Sequence, residues 1–219
     1  MTWDWQFVAK ILPDLLAGLL VTIEATLLGS ALAMALGLFF AFAQRAHIAP
    51  VRRAVRFFVE FIRRTPLLVQ LYFLFYILPD VGIVLSPLSC GVLGLGLHYA
   101  AYTSEVYRAG IDNVTRGQWD AAKACNLSDW HTWSQIILPQ AIPPMIPALA
   151  NYFIAMFKET PILSVISLME LMGVARQEAN IYYRYLEPIS MVGLLFLAVS
   201  IPGIVLTRHL DRIFNSEPR

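Results

Sequence analysis

The sequence predicts an all-α protein that crosses a membrane five times, and three observations carry that prediction. The chain is too apolar for water: 58% of its 219 residues are hydrophobic and only 14% are charged, against about a quarter charged in a typical soluble domain. Mean hydropathy is +0.63. The apolar residues gather into charge-free windows at 25–44, 81–104, 132–157 and 188–207, with a shorter block at 67–78. These approach or exceed the roughly 20 residues a helix needs to cross a bilayer. The arginines and lysines gather in alternate connections, as expected where short basic loops stay on the cytoplasmic side.

The spans are read at 15–43, 64–85, 89–109, 141–157 and 189–206. The second reaches full length only if Arg63 and Arg64 at its start snorkel to the interface. Arg45, Arg52, Arg53 and Arg56 fill the first connection, Arg116 and Lys123 the third, and Arg208, Arg212 and Arg219 the tail. The second connection, around Asp80, has neither Lys nor Arg, so the N-terminus is expected outside and the C-terminus inside. Trp3, Trp5 and Phe7 suit an interfacial anchor on the outer side, and nothing at the N-terminus reads as a cleavable signal. Residues 51–62 place Arg52, Arg53 and Arg56 opposite Val55, Phe58, Val59 and Ile62, the pattern of a helix lying along the inner surface. Gly29, Ala33, Gly37 and Ala41 form a small-residue ridge on the first span, suited to a close helix contact within the subunit or between subunits. The connection 159–187 contains an apolar stretch at 162–171, too short to span, read as re-entrant or buried with an amphipathic piece after it.

A net charge of +1, with cations clustered only beside apolar segments, makes no case for nucleic acid as a partner. Cys90 and Cys125 are expected on opposite sides of the membrane and unpaired, and His47, His98, His131 and His209 are scattered, so no metal site is expected. His98 reads as hydrogen-bonded packing.

The most informative segment lies between the third and fourth spans. Thr115 and Gln118 have the spacing of a capping box, which starts a helix near Arg116. Asn126 tolerates the left-handed conformation and stops it. Ser128 caps a second short helix to about Ile137, which Pro139 ends. The result is a helical hairpin at about 112–138, with small residues Ala121, Ala122, Ala124 and Cys125 that permit close docking into another protein.

Asp120-Ala121-Ala122, Asn126, Ile136 and Leu138-Pro139 reproduce the spacing of a known cytoplasmic signature: Glu-Ala-Ala, three residues, Gly, nine residues, Ile, one residue, Leu-Pro. With them stand Arg64-Thr65-Pro66-Leu67-Leu68, Arg108-Ala109-Gly110-Ile111, Gly117-Gln118 and Lys158-Glu159-Thr160-Pro161. On these residues the chain resembles the permease subunits of binding-protein-dependent ABC importers of the polar amino-acid branch. Asp120 replaces the family's Glu and Asn126 its Gly. The Lys158-Glu159-Thr160-Pro161 variant resembles permeases for ectoine, a cyclic zwitterion. The resemblance implies the type I importer permease fold as a single domain over 1–219. It implies an ATPase-coupling role for Gly117, Asp120, Ala121, Ala122, Asn126, Leu127, Ile136, Leu138 and Pro139. It implies ATPase subunits inside, a second permease that is a related chain or an identical copy, and a solute-binding protein outside. It implies a multi-pass location in the bacterial inner membrane. No Gly-x-x-x-x-Gly-Lys sequence occurs, so ATP hydrolysis is expected on a separate subunit, with no cofactor held here and no enzymatic activity.

Charges inside a membrane are costly and usually functional. Lys158 and Glu159, between a proline-rich helix and Pro161, are the leading candidates for the substrate pathway, with Thr160, Asn151 and Tyr152. Glu24 is read as a snorkelling or buried structural acid, or as a lining of the pathway. Glu105 and Arg108 are three residues apart and can pair on one face. Met156 reads as packing. An ion-gradient-driven secondary transporter is the alternative, although the internal repeats common in such folds are not found.

Overall fold

The structure, a computed structural model, describes residues 3–214, so Arg219 lies outside the described residues. No strand occurs among them. Helix α1 (Trp5–Ala43) begins at Asp4, whose carboxylate accepts the amides of Gln6 and Phe7 at 2.9 and 3.1 Å. Its 39 residues reach about 58 Å at 1.5 Å per residue, well beyond the roughly 30 Å hydrocarbon core. The buried positions recur at three- and four-residue spacing, from Phe7, Ile11 and Leu15 through Thr22, Gly29 and Ala33 to Gly37 and Ala41. The small-residue ridge therefore faces α4 (Pro87–Asp112) within the subunit. A Cβ at Gly37 would fall 2.0 Å from the Thr103 hydroxyl oxygen, which itself donates to the Ala33 carbonyl at 2.9 Å.

Helix α2 (Ala49–Arg64) is amphipathic as predicted and buries Val59 and Ile62 against Phe40, Ala100 and Ala101. It ends where the sequence was expected to begin a span. The axis turns by 104° at Thr65–Pro66 into α3 (Leu67–Tyr72), which continues as a π turn and a 3₁₀ turn to Val81. Arg63 and Arg64 belong to α2 rather than to the helix that follows. They close α2, paired with Glu60 one turn back at 3.4 and 3.0 Å. The residue before a proline is pushed out of the helical region, so the break falls at Thr65 and leaves both arginines on the preceding helix.

Beyond α4 come α5 (Arg116–Ala124), the single turn α6 (Asp129–His131) and α7 (Leu138–Glu159). The 159–187 connection is a buried 3₁₀ segment (Thr160–Ile166), a left-handed Ser167, and α8 (Leu171–Tyr182). Helix α9 (Leu186–Phe214) closes the bundle. The central core joins Ala25, Leu71, Leu95, Tyr99, Met156 and Leu163, and a second cluster packs Phe7, Ile11 and Leu15 on Leu171, Ala175 and Val192.

Among the described residues, α1 and α9 are long and apolar enough to cross a membrane by themselves, and counting each bent helix pair as one span gives up to four. Helix α4 is 26 residues long but is not in that set. It runs through the middle of the bundle with Tyr99, Thr103 and Ser104 buried, so protein rather than lipid surrounds its polar groups.

Candidate functional sites: a protruding hairpin and a polar cavity

The hairpin forms where the sequence put it, with two changes in how it is held. Thr115 occupies the cap position of α5 but its side chain makes no capping bond. The Gln118 side-chain oxygen is engaged instead by the Gln140 amide at 3.3 Å, and Gln140 also donates to the Ile136 carbonyl at 2.7 Å. This ties α5 to the base of α7. Asn126 is left-handed at φ 53°, and the amides of Asn126 and Leu127 return to the carbonyls of Lys123 and Ala122 at 2.9 and 3.1 Å. These are the two bonds of a Schellman stop. The Ser128 hydroxyl caps the return by accepting the His131 amide at 3.4 Å. Pro139 does not end this second helix. The chain widens into a π turn over Thr132–Ile137 and runs on into α7, and the widening accommodates a proline that lacks an N–H and crowds the preceding turn.

One side of the hairpin is anchored. Ala122 is buried, Trp119 meets Trp133 edge-on at 5.2 Å, and Trp133 reaches Phe42 at 6.2 Å. Ile136 is half-buried against this cluster, and Leu138 is half-buried as well. The other side is open: Gly117, Asp120, Ala121, Asn126, Leu127 and Pro139 are exposed. Trp130, which the sequence reading passed over, is 77% exposed beside them. A Cβ at Gly117 would meet nothing within 4 Å, so the fold places no demand on that glycine.

A cavity of about 550 Å³ lies at the level of the α2–α3 bend. Arg63, Arg64 and Thr65 enter from the bend, His98 and Tyr102 from α4, and Lys158 and Glu159 from the end of α7. The Arg63 guanidinium stands 5.3 Å over the Tyr102 ring, and the Tyr102 hydroxyl donates to the Arg63 carbonyl at 3.4 Å. Bonding to Arg64 holds the Glu60 carboxyl below the usual range, with Arg63 adding to the effect. His98, Tyr99, Tyr102 and Tyr152 form a ring cluster with centroids 5.2 to 6.2 Å apart. Contrary to the expectation of hydrogen-bonded packing, the buried Nδ1 of His98 has no partner among the described residues, and neither has the buried Nε of Arg63.

The candidate pathway residues therefore divide. Lys158 and Glu159 share the cavity and Tyr152 backs it through Tyr99 and Tyr102. Thr160 is fully buried with its hydroxyl on the Phe157 carbonyl at 2.8 Å. Asn151 lines a separate cleft of about 350 Å³ with Pro147, Thr207, Arg208 and Asp211. Glu24 is exposed on α1, neither buried nor in the cavity. Glu105 and Arg108 pair at 2.7 Å, with Arg108 also reaching Gln44. Arg63, His98, Tyr99 and Tyr102 were missed as site residues; the only sequence signal was a histidine followed by two tyrosines in an apolar span.

Residues 33–215 match the family described as binding-protein-dependent transport system inner membrane component. The probable amino-acid ABC transporter permease protein y4tG of Sinorhizobium fredii is 42% identical over 96% of this chain and 93% of its own length. The L-cystine transport system permease protein TcyB of Bacillus subtilis is 34% identical over 95% and 92%. A chain from the crystal structure of an amino acid ABC transporter with histidines superposes with a TM-score of 0.90 at 33% identity, covering 97% of this chain and 99% of that one.

Proposed function

This chain belongs to the binding-protein-dependent transport system inner membrane component family and is a permease subunit of an ABC transporter, and from that premise we propose how it moves its solute. The solute is a polar amino acid or a related small zwitterion, the class to which ectoine also belongs. Five segments cross the membrane: α1, residues 67–81, α4, α7 and α9, with the N-terminus outside and the C-terminus in the cytoplasm. The hairpin at about 112–138 faces an ATPase subunit there. A solute-binding protein delivers from outside, and a second permease completes the pathway.

One observation carries this reading. The cavity lies at the far end of a run of helix, and the hairpin that bears Asp120 is fastened to its near end. From Asp129 the chain continues through the π turn and α7 to Glu159 without a break. The hairpin is pinned to the base of that run by Gln118–Gln140 and Trp119–Trp133. A displacement imposed at Asp120 is therefore delivered to Lys158 and Glu159 through one continuous helical run. The cavity opens or closes as the rod moves against α4 and the α2–α3 bend, which is alternating access.

Reversing the exposed charge with Asp120→Lys leaves packing intact, since the side chain has no buried contact. In proteoliposomes holding the assembled transporter, uptake falls at least about tenfold, equivalent to about 1.4 kcal/mol of lost coupling, while the permease remains folded. Unchanged uptake together with unchanged ATPase binding refutes the coupling assignment.

A further inference from the structure

Building on the reading of the polar cavity as the translocation site, we propose that this cavity selects solutes that carry a carboxylate and no net positive charge, and so rejects basic amino acids. The charges fixed around it are unequal. Arg63, Arg64 and Lys158 face it against Glu159, and the acid nearest the arginines, Glu60, is shared between both of them. A zwitterion or an anion enters such a field at a gain, whereas a second cation on the solute adds to an existing excess.

The unmet hydrogen-bonding groups point the same way. The buried Nε–H of Arg63 and Nδ1 of His98 have no partner among the described residues, and Lys158 makes no ion pair there. A carboxylate supplies the acceptor that Lys158 lacks and, once the Arg63 and His98 side chains turn toward it, one for the Arg63 Nε–H and for His98 when Nδ1 carries the proton. Glu159 is left as the one acid lining the cavity for a solute ammonium.

The arrangement is fixed before a solute arrives. The Gln70 amide bonds the Ile62 carbonyl and the Thr65 hydroxyl, both at 2.9 Å, across the bend that carries the arginines. The Tyr102 hydroxyl holds the Arg63 carbonyl from α4. A braced backbone at the bend leaves only side-chain rotation to be made there on binding.

The test is ligand-dependent thermal stabilisation of the assembled permeases and ATPase, purified without the solute-binding protein, in titrations with L-glutamine, L-glutamate and L-arginine. Glutamine and glutamate stabilise the complex, and arginine binds at least about tenfold more weakly. Lys158→Gln narrows the arginine deficit, while Glu159→Gln weakens glutamine without narrowing it. Should Lys158→Gln not assemble, the wild-type comparison alone decides. Arginine binding as tightly as glutamate overturns the charge selection and leaves the cavity as the site. If none of the three binds and uptake is unchanged in both variants, the cavity is not the site, and the selection falls with it.

Discussion

Glu170 shows how much one side chain can decide without leaving a trace in the sequence pattern. It is fully buried, yet among the described residues its oxygens meet no cation. They accept the amides of Met172 and Gly173 at 3.0 and 2.8 Å and the Thr22 hydroxyl at 3.4 Å. The start of α8 lies so close to α1 that a Cβ at Gly18 would fall 3.1 Å from the Leu171 Cα. Water has no access there, so a side chain must satisfy the free amides. Glu170→Ala therefore costs about 2–4 kcal/mol, on the scale of one or two unsatisfied buried donors. Glu170→Gln, which keeps an acceptor, costs less. Denaturation in detergent micelles checks the order, and equal losses would argue against the capping role. Asn126 is the opposite case, legible because its conformation is local. Asn126→Val removes about 1–2 kcal/mol of hairpin stability through the left-handed backbone, whereas Asn126→Gly is neutral or stabilising, as local hydrogen exchange reports.

At the scale of elements, the α2–α3 bend and the α5–α7 hairpin, on which the proposed function rests, are both held by glutamine amides. Gln70 satisfies carbonyls that the end of α2 leaves open, at Ile62 and Thr65. Gln70→Leu keeps the volume and removes both donors. Amides over 62–66 then exchange at least about tenfold faster while α1 and α4 keep their protection. An unchanged exchange pattern would mean that packing of Val59 and Ile62 holds the bend alone. The turn itself was readable from Thr65-Pro66, but its role was not. A proline marks where a helix stops, whereas the direction taken next depends on contacts with α4 that are distant in sequence. Pro139 makes the same point in reverse: the local rule predicted a stop, and a π turn absorbed the proline.

For the whole molecule, the two ends are chemically different. At one end Arg45 pairs with Asp112 at 2.6 Å beside the basic α2 and the hairpin. At the other, Arg184 pairs with Asp4 at 3.1 Å and with the buried Glu187, joining the start of α1 to α9. The Phe7 amide, with Arg184, holds the Asp4 carboxyl below its ordinary 3.8. A depressed folded-state pKa means the tie contributes fully above that value and is lost as pH falls through the folded one. The stability difference between wild type and Asp4→Asn should stay flat down to about pH 5 and close below about pH 4, as melting in detergent across pH reports. Native Cys125, exposed at the hairpin, and Cys90, buried in α4, make the sidedness testable. In right-side-out vesicles an impermeant maleimide should label Asp80→Cys, in a Cys125→Ser background, and should miss native Cys125. The reverse pattern inverts the proposed topology.

What the sequence determined by itself was the helical class, the positions of the long helices, the amphipathic α2, the hairpin with its Asn126 stop, and the family. Each follows from interactions within a few residues: hydrophobic period, cap and turn chemistry, and the spacing of Asp120, Asn126 and Pro139. Tertiary structure alone decided that Arg63, His98 and Lys158 share one cavity, that Asn151 and Glu24 do not join them, that Glu170 caps a buried helix, and that Tyr99, Thr103 and Ser104 of α4 are enclosed by the bundle. Those outcomes depend on which helices touch, and three-dimensional proximity between residues tens of positions apart is set by packing across the whole bundle, which no local spacing encodes.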